Sequence, residues 1–170
     1  MRHVISVLVE NEFGVLSRIS GLFSGRGFNI ESLSVAETTD TNVSKMTIVT
    51  HGSDEIIEQI TKQLRKLVTV MKVTDFTGTD FVDREMVLIT VKATEGTRSE
   101  VLSIADIFRA KIIDVSPKSY TVELTGDENK IRAILELFKP IGIIDMVRTG
   151  TVAIARSDKS IGAKKKEKEN

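Results

Sequence analysis

The apolar residues of this 170-residue chain switch between the two-residue repeat of strands and the three-and-four spacing of helices, and the same succession of switches occurs twice. His3 to Val9 is strand-like, with Val4, Ile5, Val7, Leu8 and Val9 in a short run. Val15, Leu16, Ile19, Leu22 and Phe23 then fall on one helical face, and Ser24-Gly25-Arg26-Gly27 ends that helix where glycine tolerates a left-handed cap. Phe28 to Ala36 reads as a second strand, Thr38 to Asn42 as a polar hairpin loop and Ser44 to Thr50 as a third strand. Ser53-Asp54-Glu55 opens a second helix, with acidic groups at its positive end and Lys62, Arg65 and Lys66 near its negative end. Its buried face is Ile56, Ile57, Ile60, Leu64 and Leu67, and Val68 to Phe76 closes the unit as a fourth strand.

The βαββαβ order then recurs. Glu85 to Ala93 is a strand, and Thr97-Arg98-Ser99-Glu100 has the pattern of a capping box ahead of Val101, Ile104, Ala105 and Phe108. Lys111 to Val115 and Ser119 to Leu124 form a strand pair around Pro117. Thr125-Gly126-Asp127-Glu128 is a second capping-box pattern before Ile131, Ile134, Leu135 and Phe138. Lys139-Pro140 stops that helix, and Ile141 to Ala155 supplies the closing β structure.

The expected fold class is α+β: two tandem ferredoxin-like βαββαβ units, each an antiparallel four-stranded sheet with both helices on one face. The expected domains are residues 1–78 and 79–156, joined near Gly78 to Arg84, with a charged and disordered tail over 157–170. Units of roughly 75 residues bury only about 60% of their unfolded surface, so association with a partner is expected.

Composition removes several function classes. Twenty-four basic and 24 acidic residues give zero formal charge, which attracts no polyanion over long range. There is no cysteine, so thiol catalysis, thiolate metal sites and disulfides are excluded. The two histidines, His3 and His51, lie beside or within strands without metal-ligand spacing, and no metal site is expected. No nucleophile elbow or catalytic triad can be nominated, so no catalytic residue is expected either. Gly25-Arg26-Gly27 fails the dinucleotide fingerprint because Ile30 takes the third glycine position and a strand follows. Arg26-Gly27-Phe28 opens like an RNA-binding string, then lacks the stacking aromatics and falls on the wrong strand. The start lacks a signal-like apolar core and no run is long enough to span a bilayer, so the expected location is the cytoplasm or an organelle stroma.

The segment from Asn11 to Leu16 has a specific physical use. A helix start leaves N–H groups unpaired and positive, which suits a carboxylate. Gly14 permits close approach, Asn11 and Asn29 can receive an ammonium group, and Val15, Leu16 and Ile30 can wall an aliphatic side chain. The alternative is purely structural: Gly14 as a turn, Asn29 as a strand entry and the aliphatics as core.

The run His3-Val4-Ile5-Ser6-Val7-Leu8-Val9-Glu10-Asn11-Glu12-Phe13-Gly14-Val15-Leu16-Ser17-Arg18, with the stretches Gly25 to Leu33, Ser44 to Thr47 and Leu64 to Leu67, resembles the small regulatory subunits of acetolactate (acetohydroxyacid) synthase. The first unit resembles an ACT domain, and the likeness continues to about Arg156. The resemblance implies a chain without an active site that activates a separate catalytic subunit. That subunit would carry thiamine diphosphate, Mg²⁺ and FAD and condense two pyruvates, or pyruvate with 2-oxobutyrate, in branched-chain amino acid biosynthesis. It further implies feedback inhibition by valine or a related amino acid, bound between two ACT domains paired into one eight-stranded sheet. Asn11, Gly14, Val15 and Leu16 would then come from one chain, and Asn29 and Ile30 from the other. The second unit's turn, Thr94-Glu95-Gly96-Thr97-Arg98, places charged and hydroxyl groups where the first has aliphatics, so it is not expected to hold the same ligand. A free-standing amino-acid sensor controlling another enzyme is the alternative reading.

Overall fold

A computed structural model describes residues 1–156. The charged segment 157–170, expected to be disordered, lies outside the described residues.

The first unit contains β1 (Arg2–Glu10), α1 (Val15–Ser24), β2 (Ile30–Glu37), β3 (Val43–His51), α2 (Asp54–Leu64) and β4 (Val70–Asp75). Its sheet has the order β2-β3-β1-β4, antiparallel throughout. Alternation along β1 sends Ile5, Val7 and Val9 toward the helices, where they meet Val15, Ile19 and Phe23 of α1 and Ile57, Ile60 and Leu64 of α2. Val4, Ser6 and Leu8 therefore lie on the other face.

The second unit contains β5 (Phe81–Lys92), α3 (Arg98–Phe108), β6 (Lys111–Val115), β7 (Ser119–Gly126), α4 (Glu128–Phe138), β8 (Ile143–Arg148) and β9 (Val152–Ala155). Its sheet has the order β6-β7-β5-β8, with β9 also paired to β5. Val87, Ile89, Val91, Val122 and Leu124 pack against Val101, Ile104, Ile131, Ile134 and Phe138. Two antiparallel sheets, each covered by two helices, make tandem ferredoxin-like units.

Several local expectations change. β2 begins at Ile30, so Phe28 and Asn29 stay in the turn. The left-handed residue after α1 is Gly27 (φ 72°), because Phe28 N–H returns to Phe23 O at 3.0 Å and Gly27 N–H to Ser24 O at 3.0 Å, while Gly25 remains right-handed. Neither capping box forms. The Thr97 hydroxyl is taken by Thr94, whose N–H lies 3.1 Å away. Thr125 belongs to β7, and α4 is capped instead by Asp127, which accepts from Lys130 N–H at 2.8 Å. His3 is not at an open strand edge but buried, with its ring nitrogens 2.7 Å from Thr77 Oγ1 and 3.2 Å from Gly52 O.

The largest difference concerns β5. It starts at Phe81 rather than Glu85, and its first residues leave the second sheet together with β9. This two-stranded extension lies on the helix-free face of the first sheet, where Val4, Val49, Phe76 and Ala153 form a small core with Phe81 beside it. The Phe76 and Phe81 rings stack at 5.2 Å. A polar seam continues beside this core. Glu85, with its side chain 4% exposed, receives two hydrogen bonds from Arg148 at 2.6 and 2.8 Å. These bonds hold the Arg148 guanidinium further above its ordinary pKa, against the opposing effect of burial. Arg2 reaches across the seam to Glu128 at 3.1 Å.

Candidate effector site

The end of β1 and the start of α1 are held in place by the β2–β3 hairpin. Asn11 N–H donates to Asn42 O at 2.7 Å, and the Asn11 side-chain amide donates to Thr41 O at 2.9 Å and Glu37 Oε1 at 3.1 Å. Both amide hydrogens are thereby used, which leaves the Asn11 side-chain oxygen as an acceptor. Gly14 is the residue before α1 and has φ 81°. A Cβ there would meet nothing within 4 Å, so the glycine is required by its backbone conformation and not by crowding.

α1 starts differently from the other three helices. Its first turn has no acidic residue and no side-chain cap, whereas α2 opens with Asp54 and Glu55, α3 carries Glu100 and α4 carries Glu128 behind its Asp127 cap. Among the described residues nothing accepts from the N–H groups of Leu16 and Ser17. The first turn of α1 therefore keeps its positive end without a carboxylate of its own, and the nearest acidic residues, Glu10 and Glu12, stand on the segment before it. Beside it lies a cavity of about 190 Å³, walled by Val9, Val15, Leu16, Val35 and Met46 and rimmed by Glu10, Asn11, Glu12 and Ser44. Val35 and Met46 were not legible as site residues, because they arrive through the β2–β3 register, in which they face each other.

The six residues singled out in the sequence form two groups. Asn11, Gly14, Val15 and Leu16 gather at this helix start, with Val15 buried and Leu16 43% exposed. Asn29 and Ile30 sit at the opposite end of the sheet: Ile30 faces Thr50, whereas Asn11 follows Glu10, which faces Val43. From Val43 to Thr50 at ~3.3 Å per residue, the separation is roughly 23 Å. One chain does not bring the groups together. Both flank β2, however, which is an edge strand of its sheet. Antiparallel pairing of two β2 edges places the start of one strand beside the end of the other, and hence Asn29 and Ile30 of one copy near Asn11 of its partner.

Among the described residues no three His, Cys, Asp or Glu side chains come together to hold a metal ion, and no helix is long and apolar enough to cross a membrane.

Comparison with known proteins assigns both units. Residues 5–72 match the model of the AHAS small subunit-like ACT domain, and residues 84–157 match that of the small subunit of acetolactate synthase. The acetolactate synthase small subunit of Aquifex aeolicus is 53% identical over 156 residues, covering 91% of this chain and 81% of the relative. That of Haemophilus influenzae is 47% identical over 162 residues, covering 95% and 99%. The crystal structure of the small subunit from Thermotoga maritima superposes with a TM-score of 0.83 at 39% identity, covering 93% of this chain and 99% of that one. With an open helix start in an ACT-type first unit and close likeness along the rest of its length, the chain belongs to the acetolactate synthase small-subunit family.

Proposed function

We propose that the protein is a cytoplasmic regulatory subunit that binds and activates a separate acetolactate synthase catalytic subunit and makes it sensitive to a branched-chain amino acid. The observation that carries the effector part is the start of α1: free Leu16 and Ser17 N–H groups with no acidic residue in the first turn, beside a small cavity with aliphatic walls and a polar rim. The amino acid's carboxylate faces those N–H groups, its ammonium faces the Asn11 side-chain oxygen, and its aliphatic side chain enters the cavity. Asn29 and Ile30 of a second copy close the site. Thiamine diphosphate, Mg²⁺ and FAD, with the condensation chemistry, belong to the catalytic subunit.

Inhibition requires only that valine favour the less active arrangement of the assembly, by about 1–3 kcal/mol of coupling. Calorimetry on the dimeric chain, with valine, leucine and isoleucine as ligands, tests the site. Gly14→Asp puts a carboxylate beside the free N–H groups where a side chain has room. It should lower valine affinity at least ~30-fold, equivalent to about 2 kcal/mol, and it also strains the backbone at φ 81° by about 1–2 kcal/mol. Absence of binding by all three amino acids removes the effector reading. Failure to raise pyruvate condensation by the cognate catalytic subunit removes the partner reading.

A further inference from the structure

β8 and β9 are two parts of one antiparallel partner of β5. Arg148 faces Val87 and Val152 faces Arg84, so Thr149, Gly150 and Thr151 stand opposite only Glu85 and Met86. The one extra residue makes this a β-bulge, which bends its strand and aims a residue out of the ladder. Thr149 stays on β5, its N–H donating to Met86 O at 3.1 Å and its hydroxyl accepting from Met86 N–H at 3.1 Å. Gly150, at φ 81°, turns the backbone away from β5. Thr151 N–H then donates to Ser32 Oγ of β2 at 2.9 Å, and the Thr151 hydroxyl accepts from Arg2 at 3.3 Å.

The contact with β2 leaves no slack. A Cβ on Gly150 would lie 2.8 Å from Ser32 Oγ and 3.4 Å from Leu33 O. Thr151 itself is buried. The contact also falls at a particular place on β2: its ladder with β3 is irregular between Ile30 and Ser32. Ser32 thus sits beside that irregularity, between the Asn29–Ile30 end of the edge strand and the Val35–Glu37 end that adjoins Asn11.

We infer that the Thr149–Thr151 bulge is the positioning element through which effector occupancy at the β2 edge reaches the second unit. The inference rests on the effector reading above. A ligand held at both ends of the paired β2 edges fixes that strand's position. Because Gly150 packs directly on Ser32 and Leu33, β2 cannot shift without moving the bulge, and the bulge leads directly back into β8. Tightly packed contacts respond by moving as units and not by deforming gradually. The apolar core of Val4, Val49, Phe76 and Ala153 lies on β1, β3, β9 and the end of β4, away from the edge strand, and serves as the fixed side of the joint.

The test uses the full chain with its catalytic subunit. Gly150→Ala puts a side chain at an unfavourable φ and into Ser32. Ser32→Ala removes only the hydrogen bond and leaves the glycine contact. Valine affinity, measured by calorimetry, should stay within about twofold of wild type in both variants, as should activation without valine. The inhibition by valine should weaken at least ~5-fold in Gly150→Ala, the lower end of ordinary coupling, and measurably in Ser32→Ala. If Gly150→Ala fails to fold, Ser32→Ala decides alone. Unchanged inhibition in the folded variants overturns the inference while leaving the effector site standing. No valine binding by wild type removes both.

Discussion

Gly14 and Gly96 occupy the same step of the two units, each five residues past the last buried valine of its first strand, and they serve opposite turns. Gly14 takes a positive φ, and two residues later Leu16 points into solvent beside the cavity. Gly96 has no such backbone requirement, and two residues later stands Arg98. The Arg98 guanidinium folds back onto its own corner, donating to Ala93 O at 3.2 Å and to Pro117 O at 2.6 Å. Thr94 and Thr97 bond each other through hydroxyl and backbone groups. The second turn is therefore satisfied by its own side chains, whereas the first keeps donors and apolar walls available. One scaffold yields an open helix start or a sealed corner according to what stands two residues past a glycine.

Three substitutions of decreasing effect probe the two units, the first at the Glu85–Arg148 pair of the second unit and the other two at the contrasted turns. Arg148→Met leaves the Glu85 carboxylate buried without its partner in the second unit, and it should cost about 3–5 kcal/mol in urea unfolding. The double variant Glu85→Leu/Arg148→Met should recover most of that loss, because the charge is removed with its partner. Arg98→Leu unseals the second turn and deletes two charge-assisted hydrogen bonds, for about 1–3 kcal/mol of stability. It should not create valine binding, since Glu100 still occupies the α3 start. Leu16→Arg copies the sealed corner into the first unit. Because Leu16 is exposed, stability should change by no more than about 0.5 kcal/mol, while valine affinity in calorimetry should fall at least ~10-fold, or about 1.4 kcal/mol. Retained valine affinity in this variant would show that the residue two past the glycine is not what separates the two turns.

How much of this was legible in the sequence depended on the range of the interaction. The apolar faces at Val15, Ile19 and Phe23, and at Ile131, Ile134 and Phe138, follow from helical spacing, which is local. Gly14 was legible as a special turn for the same reason. The capping boxes failed because Thr97 and Thr125 had nearer competitors for their roles, Thr94 in one case and Asp127 in the other. Ile141 to Ala155 read as one closing stretch, since nothing within it announces that Val152 and Ile154 leave with the first residues of β5. The cavity walls at Val35 and Met46, and the hold of Glu37 and Thr41 on Asn11, are matters of hairpin register. Register and unit-to-unit contact are decided by partners far along the chain, and periodicity carries no information about them.

The small core between the units joins Val4, near the beginning of the chain, to Ala153, near the end of the described residues. During synthesis the first sheet has all four of its strands once Asp75 has emerged, but Val4, Val49 and Phe76 must wait for the remainder of the second unit before their cover exists. At about 5–20 residues per second, that interval is roughly 4–16 s. For that time the nascent first unit presents the small apolar patch of Val4, Val49 and Phe76 uncovered, together with an unpaired β2 edge. The segment that covers this patch also brings Thr151 onto Ser32, so the β2 edge is braced only when β9 is in place, and the proposed pairing of two such edges has its finished surface only then.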